Sequence, residues 1–162
     1  MLFVCFYLTK IYMSFIKDLE KWKEAEKIFA RYLIDYPELI SIEFPRGKFK
    51  EWDIRMTYGE WKQATYEIKR DLKTQETWNF IIEYRCSGKP SWIYCSKADY
   101  IVYYIAGKWW IQSRAELLLR IQNVEKRETK GWDWFRASLY VIKADKLPDL
   151  FEELNLDEKQ FN

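Results

Sequence analysis

The chain has 162 residues, of which 49% are hydrophobic and 32% are charged, and its net charge is +2. This length fits one domain with a hydrophobic core, and the composition argues against a disordered or membrane-embedded chain. The absence of histidine removes Ser-His-Asp triads, Cys–His pairs, histidine general bases and most zinc sites. Hydrolytic chemistry would therefore rest on carboxylates, Lys, Tyr or Ser, together with a hard metal ion.

Residues 1–12 are apolar but too short to span a bilayer. They lack the basic start and the small-residue cleavage site of a signal peptide. We interpret them as an extension, or as a start-site artefact, ahead of a core that covers residues 13–162. A docked N-terminal strand is the alternative. We therefore expect one domain over residues 1–162, without a membrane partner.

The first predicted helix covers residues 17–34, because apolar side chains recur there at steps of three and four residues. Tyr36-Pro37 ends this helix, since the residue before a proline avoids the helical conformation. Residues 39–44 alternate between apolar and polar and predict a half-buried strand. Two more strands are predicted over residues 50–56 and 64–69, joined near Gly59 as a hairpin or meander.

Residues 71–77 are polar and are predicted to form a loop. Further strands are predicted over residues 79–84 and 98–105, with a turn at 86–91 between them. Ser113 and Glu116 have the spacing of a capping box, which predicts a helix as far as about residue 124. A strand over 136–143 and a short helix with Pro148 in its first turn complete the chain. This order predicts an α/β fold with a mixed central β-sheet flanked by helices.

Aromatic residues make up 19% of the chain. Two explanations stay open: some rings line a groove where bases or a partner stack, or the core itself is built from rings. The three cysteines, Cys5, Cys86 and Cys95, have no C-x-x-C spacing. Their number and spacing predict free thiols in a reducing compartment, and hence a cytoplasmic location.

The residues that could carry chemistry lie on the two strands around Gly59. Glu67 and Lys69 are two residues apart, so their side chains share one face of the sheet. Asp53 is on the polar side of the preceding strand and lies beside them if the two strands pair. Carboxylate oxygens are the preferred ligands of Mg²⁺, and Lys69 would orient the attacking water. The alternative is an exposed strand face on which these charges keep the sheet soluble.

Asp53 followed by Glu67-Ile68-Lys69 resembles the active-site pattern of the PD-(D/E)xK, restriction-endonuclease-like superfamily. The resemblance implies a restriction-endonuclease-like core and a Mg²⁺-dependent deoxyribonuclease, in which Mn²⁺ can substitute. Asp53 and Glu67 would bind the metal together with the Ile68 carbonyl, and Lys69 would assist catalysis. Trp52 occupies the position where the family pattern has proline.

Four longer segments are similar to a narrower group of phage and virus-borne nucleases: Y-E-I-K-R-D (66–71), W-N-F-I-I-E-Y (78–84), S-G-K-P-S (87–91) and K-A-D-Y (97–100). Trp78 and Trp92 replace glycines of that group, close to the expected substrate groove. This likeness implies DNA as the partner and the cytoplasm of a host cell as the location. Several relatives act as homodimers, and a dimer is left open for this chain.

Several charged or polar residues near the motif are candidates for the wider site. Arg70, Lys89, Ser91 and Lys97 are candidates for phosphate contacts, with the commoner role of a solvated surface residue as the alternative for each. Glu83 is a candidate for an additional or supporting carboxylate at the metal. Glu20 and Glu24 are candidates for an acidic helix residue at the same metal, with a solvated helix face as the alternative.

Two other functions stay open. The first is a nuclease fold without catalysis that serves a mobile element as a nucleic-acid-binding or protein-interaction module. The second is a structural domain with no role in nucleic-acid chemistry, which requires Asp53, Glu67 and Lys69 to lie far apart.

Overall fold

Two β-sheets and a set of mostly short helices form the fold. The computed structural model describes residues 24–45, 51–71, 74–105, 107–130 and 136–156. In chain order the elements are α1 (Glu24–Ile34), β1 (Leu39–Glu43), β2 (Ile54–Tyr58), β3 (Lys62–Asp71), α2 (Thr74–Thr77), β4 (Asn79–Cys86), β5 (Lys89–Pro90), α3 (Trp92–Cys95), β6 (Tyr100–Ile105), β7 (Lys108–Ser113), α4 (Arg114–Arg120), a 3₁₀ turn (Ile121–Asn123), β8 (Lys126–Lys130), β9 (Arg136–Lys143), a second 3₁₀ turn (Ala144–Lys146), α5 (Leu147–Leu150) and β10 (Glu152–Leu154).

The larger sheet has six strands in the order β1-β2-β3-β6-β7-β10. Its strands pair antiparallel except for β3 and β6, which run parallel with Lys69 beside Tyr103. The smaller sheet is antiparallel, in the order β5-β4-β9-β8. The predicted α/β class with a mixed sheet is therefore confirmed, whereas the second sheet was not predicted.

Helix α1 packs on one face of the six-stranded sheet. Phe29, Ala30 and Leu33 of the helix are almost fully buried against apolar side chains of β2, β3, β6 and β7. These helix residues recur at the expected three- and four-residue steps, so the predicted helix is confirmed over Glu24–Ile34. Residues 1–23 lie outside the described part of the chain. They include the first part of the predicted helix, Glu20 and the expected extension over residues 1–12.

The other face of the six-stranded sheet meets the smaller sheet. Ile101, Tyr103 and Ile105 of β6 pack there against a cluster that includes Phe80 and Ile82 of β4, together with side chains of α3, α4, α5 and β9. Val102 points to the opposite face and joins the cluster beneath α1. Strand β6 is therefore covered on both sides, which explains its nearly continuous apolar sequence.

Several boundaries differ from the predicted ones. The second strand begins at Ile54 rather than at residue 50, and β3 runs on to Asp71. The predicted loop over 71–77 is wrong, because Thr74 starts a helical turn whose backbone N–H donates to the Asp71 carboxylate at 3.1 Å. Ser113 caps the helix as predicted, since its hydroxyl accepts a hydrogen bond from the Glu116 backbone N–H at 3.2 Å. The reciprocal bond of a capping box is replaced, because the Ser113 N–H donates to the Gln112 side chain at 2.8 Å.

The last predicted strand matches β9, and Pro148 lies in the first turn of α5 as expected. The restriction-endonuclease-like core that the resemblance implies has a helix after its third strand. In this chain the connection from β3 to β6 contains β4, β5 and two four-residue helices, α2 and α3. Among the helices described, none is long and apolar enough to cross a membrane.

Candidate active site

The hairpin of β2 and β3 brings Asp53 to Glu67. Ile54 pairs with Tyr66, and one residue earlier the Asp53 backbone N–H donates to the Tyr66 carbonyl at 2.8 Å. Asp53 therefore lies across the ladder from Glu67, at the point where β2 begins. The predicted pairing of the two strands is confirmed, and the alternative of widely separated residues is excluded.

The Asp53 carboxylate binds the backbone of β3. Its Oδ2 accepts a hydrogen bond from the Ile68 N–H at 2.8 Å, and only 8% of the residue is exposed. The N–H and C=O groups of one strand residue point to the same edge of the strand. The Ile68 carbonyl therefore points to the same edge of β3 as the Asp53 carboxylate. Asp53 itself lies one residue before β2 begins.

Glu67 is buried, with only 7% of the residue exposed, and its carboxylate has two polar partners. One oxygen forms an ion pair with the Lys69 ammonium, and the other accepts a hydrogen bond from the Ser96 hydroxyl at 3.2 Å. Burial raises the pKa of Glu67, and the nearby negative charge of Asp53 raises it further, while Lys69 and Ser96 oppose the rise. The two carboxylates are thus close enough to repel each other, a situation that a bound cation relieves.

Ser96 belongs to the site, and the sequence did not indicate it. Its hydroxyl lies 3.2 Å from the Glu51 carbonyl as well as from Glu67, and it accepts a hydrogen bond from the Ala98 N–H at 3.1 Å. The Lys97 N–H donates to the same Glu51 carbonyl at 2.8 Å. These bonds hold the segment before β6 against the segment before β2. Only the long-range fold brings Ser96 here, so no local pattern could have revealed it.

Lys69 extends from Glu67 toward the Trp92 ring, which forms the aromatic wall of the site. Its Nζ lies 4.9 Å from the centroid of the Trp92 ring, and about a third of its side chain is exposed. Tyr103, the neighbour of Lys69 on β6, is buried behind this wall. Burial raises the pKa of Tyr103 well above its usual value, and the charges of Asp71 and Glu67 add to the rise, so the phenol keeps its proton.

The candidate phosphate contacts are scattered. Arg70 follows Lys69 on β3, so it points to the opposite face, where its guanidinium lies 5.7 Å from the Tyr104 ring centroid. Lys89 is exposed on the short strand β5. Lys97 is exposed and pairs with Glu51 beside the site. Only Lys97 is tied by these contacts to the segment that carries Asp53.

Ser91 and Glu83 form a contact of their own. Ser91 is buried, and its hydroxyl donates to the Glu83 carboxylate, which links α3 to β4. This bond occupies the hydroxyl that the sequence suggested for phosphate. Glu83 thereby supports the wall of the site, and it does not join Asp53 and Glu67. Glu24 is the first described residue of α1.

The donor set fits a hard divalent cation. No group of three or more His, Cys, Asp or Glu side chains able to hold a metal occurs in the described segments. Mg²⁺ needs only one or two carboxylates, and it completes its octahedron with water and substrate phosphate. Asp53, Glu67 and the Ile68 carbonyl suit that requirement, whereas a structural zinc site needs more nitrogen or sulfur ligands.

The site therefore consists of two interacting carboxylates, a backbone carbonyl at the same strand edge and a lysine that spans from Glu67 to Trp92. This grouping depends on one hairpin and on the parallel pairing of β3 with β6. In comparisons with known proteins, no family model, no curated protein and no solved structure matches the chain.

Proposed function

We propose that the chain is a metal-dependent nuclease that hydrolyses phosphodiester bonds in DNA, with Mg²⁺ as its ion and Mn²⁺ as a substitute. The observation that carries this proposal is the convergence of Asp53, which immediately precedes β2, with Glu67 and Lys69 on the neighbouring β3. Their order and spacing resemble the PD-(D/E)xK pattern. The succession of α1, β1, β2 and β3, followed by β6 parallel to β3, is compatible with a restriction-endonuclease-like core.

Each residue would have a distinct task. Asp53, Glu67 and the Ile68 carbonyl would hold the ion, which supplies a water of lowered pKa and neutralises phosphate charge. Lys69 would orient that water and offset the charge that develops on the phosphate. Ser96 would keep Glu67 in place through its second oxygen. Tyr103 would remain a protonated phenol behind the lysine.

The test is cleavage of labelled single-stranded, duplex and branched DNA in Mg²⁺, Mn²⁺ or EDTA. We expect cleavage in either metal, none in EDTA, and a loss on the order of a thousand-fold or more in Glu67→Ala and Lys69→Ala. Lys108→Ala is the matched control, because Lys108 forms an ion pair with Glu153 at 2.8 Å in another part of the same sheet. It should cut like the wild type.

A second function is favoured by one observation: the Lys69 ammonium forms an ion pair with the Glu67 carboxylate. Such an arrangement also suits a nuclease fold that binds nucleic acid or a protein partner and does not cut. In that case no DNA is cleaved in any metal, and DNA binding survives Asp53→Ala. A homodimer with two sites for two strands and a cytoplasmic location stay predictions, the first of which sedimentation would test.

A further inference from the structure

The Lys69 ammonium has two partners of different chemistry. One is the Glu67 carboxylate, and the other is the face of the Trp92 ring, whose centroid lies 4.9 Å from Nζ. A cation within about 6 Å of a ring centroid is attracted by the electrons of the ring face, most strongly for tryptophan. The lysine is therefore held from two sides.

Trp92 is itself held firmly. It is the first residue of α3, and its carbonyl accepts a hydrogen bond from the Ser96 N–H at 2.7 Å. The helix is tied to β4, since the Ser91 N–H donates to the Tyr84 carbonyl at 2.9 Å. The Trp92 ring packs edge-on to Tyr103, with their centroids 6.0 Å apart. The ring is thus a fixed surface under a flexible side chain.

We propose that Trp92 is a positioning residue that keeps the Lys69 ammonium at the site when a divalent cation takes over Glu67. The inference rests on the proposed function. A cation bound to Glu67 competes with the lysine for the carboxylate and repels it. An ammonium on four flexible carbons would then move into solvent unless a second partner held it. The Trp92 ring is such a partner, and a hard metal ion does not compete for it.

The first experiment needs no enzymatic activity. The NMR signals of the lysine ε-CH₂ groups are recorded in protein labelled with ¹³C at the lysine ε-carbon. Protons above the face of an indole ring resonate upfield. The signal that disappears in Lys69→Arg is that of Lys69. We expect the upfield shift of Lys69 in the wild type, its persistence in Glu67→Gln and on addition of Mg²⁺, and its loss in Trp92→Leu. Disappearance of the shift in Glu67→Gln would overturn the proposal, because the ring would not hold the lysine alone.

The second experiment separates positioning from folding by a graded series. We expect kcat to fall roughly three-fold in Trp92→Phe and about ten-fold in Trp92→Leu, with KM unchanged, because a benzene ring attracts a cation less than an indole. Trp61→Leu is the control, since Trp61 is an exposed tryptophan at the turn between β2 and β3. Unchanged kcat in Trp92→Leu overturns the proposal.

The two experiments distinguish the failure of each idea. If the wild type cuts no DNA in any metal, the proposed nuclease function fails, while the Glu67→Gln spectrum still decides whether Trp92 holds Lys69. If the wild type cuts and Trp92→Leu cuts equally well, the nuclease function stands and the role of Trp92 falls.

Discussion

The negative charge of Glu67 lies in an unfavourable environment. It is buried, it faces the Asp53 carboxylate, and both effects raise its pKa, although Lys69 and Ser96 each offset part of the rise. Two neighbouring carboxylates that are both shielded from water lower the stability of the fold, because each loses hydration and repels the other. Such an arrangement is typical of functional sites, where the charges bind a ligand.

Metal affinity should therefore respond in opposite directions to two substitutions. Glu67→Gln removes a proposed metal ligand and should abolish Mn²⁺ binding. Lys69→Met removes a neighbouring positive charge and should strengthen Mn²⁺ binding roughly ten-fold while cleavage is lost. Calorimetric titration of both variants measures this difference, with Lys108→Met as the control. Weaker Mn²⁺ binding in Lys69→Met would show that the ion does not bind beside the lysine.

At the scale of the elements, two of the tryptophans that the structure describes have a backbone conformation that favours glycine. Trp61 has φ 63° and Trp78 has φ 53°, and each is about three-quarters exposed. Neither ring is buried enough to compensate for the left-handed backbone. Trp78 is also the residue that replaces a glycine in the resembled nuclease group, so the conformation of that corner is the one a glycine adopts readily.

Glycine should consequently be better than alanine at Trp78. Trp78→Gly should unfold with a free energy about 1 kcal/mol higher than Trp78→Ala, because alanine keeps the left-handed strain and glycine relieves it. Urea unfolding of both variants measures the difference. At Ile81, a partly exposed residue inside β4, the order should reverse, since glycine weakens a regular strand. Equal stability of the two Trp78 variants would contradict the strain.

The hairpin that carries the site could be predicted because its information is local. The alternation over residues 64–69 fixes which face carries Glu67 and Lys69, and Gly59 marks the turn. Asp53 was predicted on the polar face of the preceding strand, and it lies one residue before that strand begins at Ile54. The capping bond of Ser113 and the limits of β9 were predicted for the same reason, since each depends on a few neighbouring residues.

The second sheet and the wall of the site could not be predicted in this way. Strand β4 pairs with β9, so that Asn79 lies opposite Lys143. A two-residue period predicts a strand but does not identify its partner. Strand β7 was missed because its sequence, K-W-W-I-Q-S, lacks a regular alternation. Ser96 and Trp92 reach the site only through these long-range pairings.

At the scale of the whole molecule, the six-stranded sheet separates two cores, and each contains a buried tyrosine. Tyr66 lies in the core beneath α1, and Tyr103 lies in the core between the sheets. Burial raises the pKa of both phenols above the usual value of 10.0, and neighbouring tyrosines add to the rise for Tyr66. Neither phenol can ionise easily while its core stays closed.

Stability should therefore fall at alkaline pH. A group whose pKa is higher in the folded than in the unfolded protein contributes fully below its unfolded pKa, and the contribution is lost as the pH rises through the folded value. For Tyr66 and Tyr103 this loss begins near pH 10. Absorbance at the tyrosinate band and circular dichroism, followed together, should show these tyrosines ionising only as the chain unfolds. Their ionisation in folded protein would contradict the burial.

The pairing of β4 with β9 also matters for the order of synthesis. A ribosome completes β2 and β3 by Asp71, but β9 emerges only with Arg136–Lys143. The carboxylates can meet in their hairpin early, whereas β4, to which the helix that begins with Trp92 is tied, waits for its partner until Lys143 has been added. A growing chain thus holds its acidic pair and Lys69 before the sheet that supports Trp92 can form. Any cutting activity that needs Trp92 in place would begin only after β9 has been synthesised.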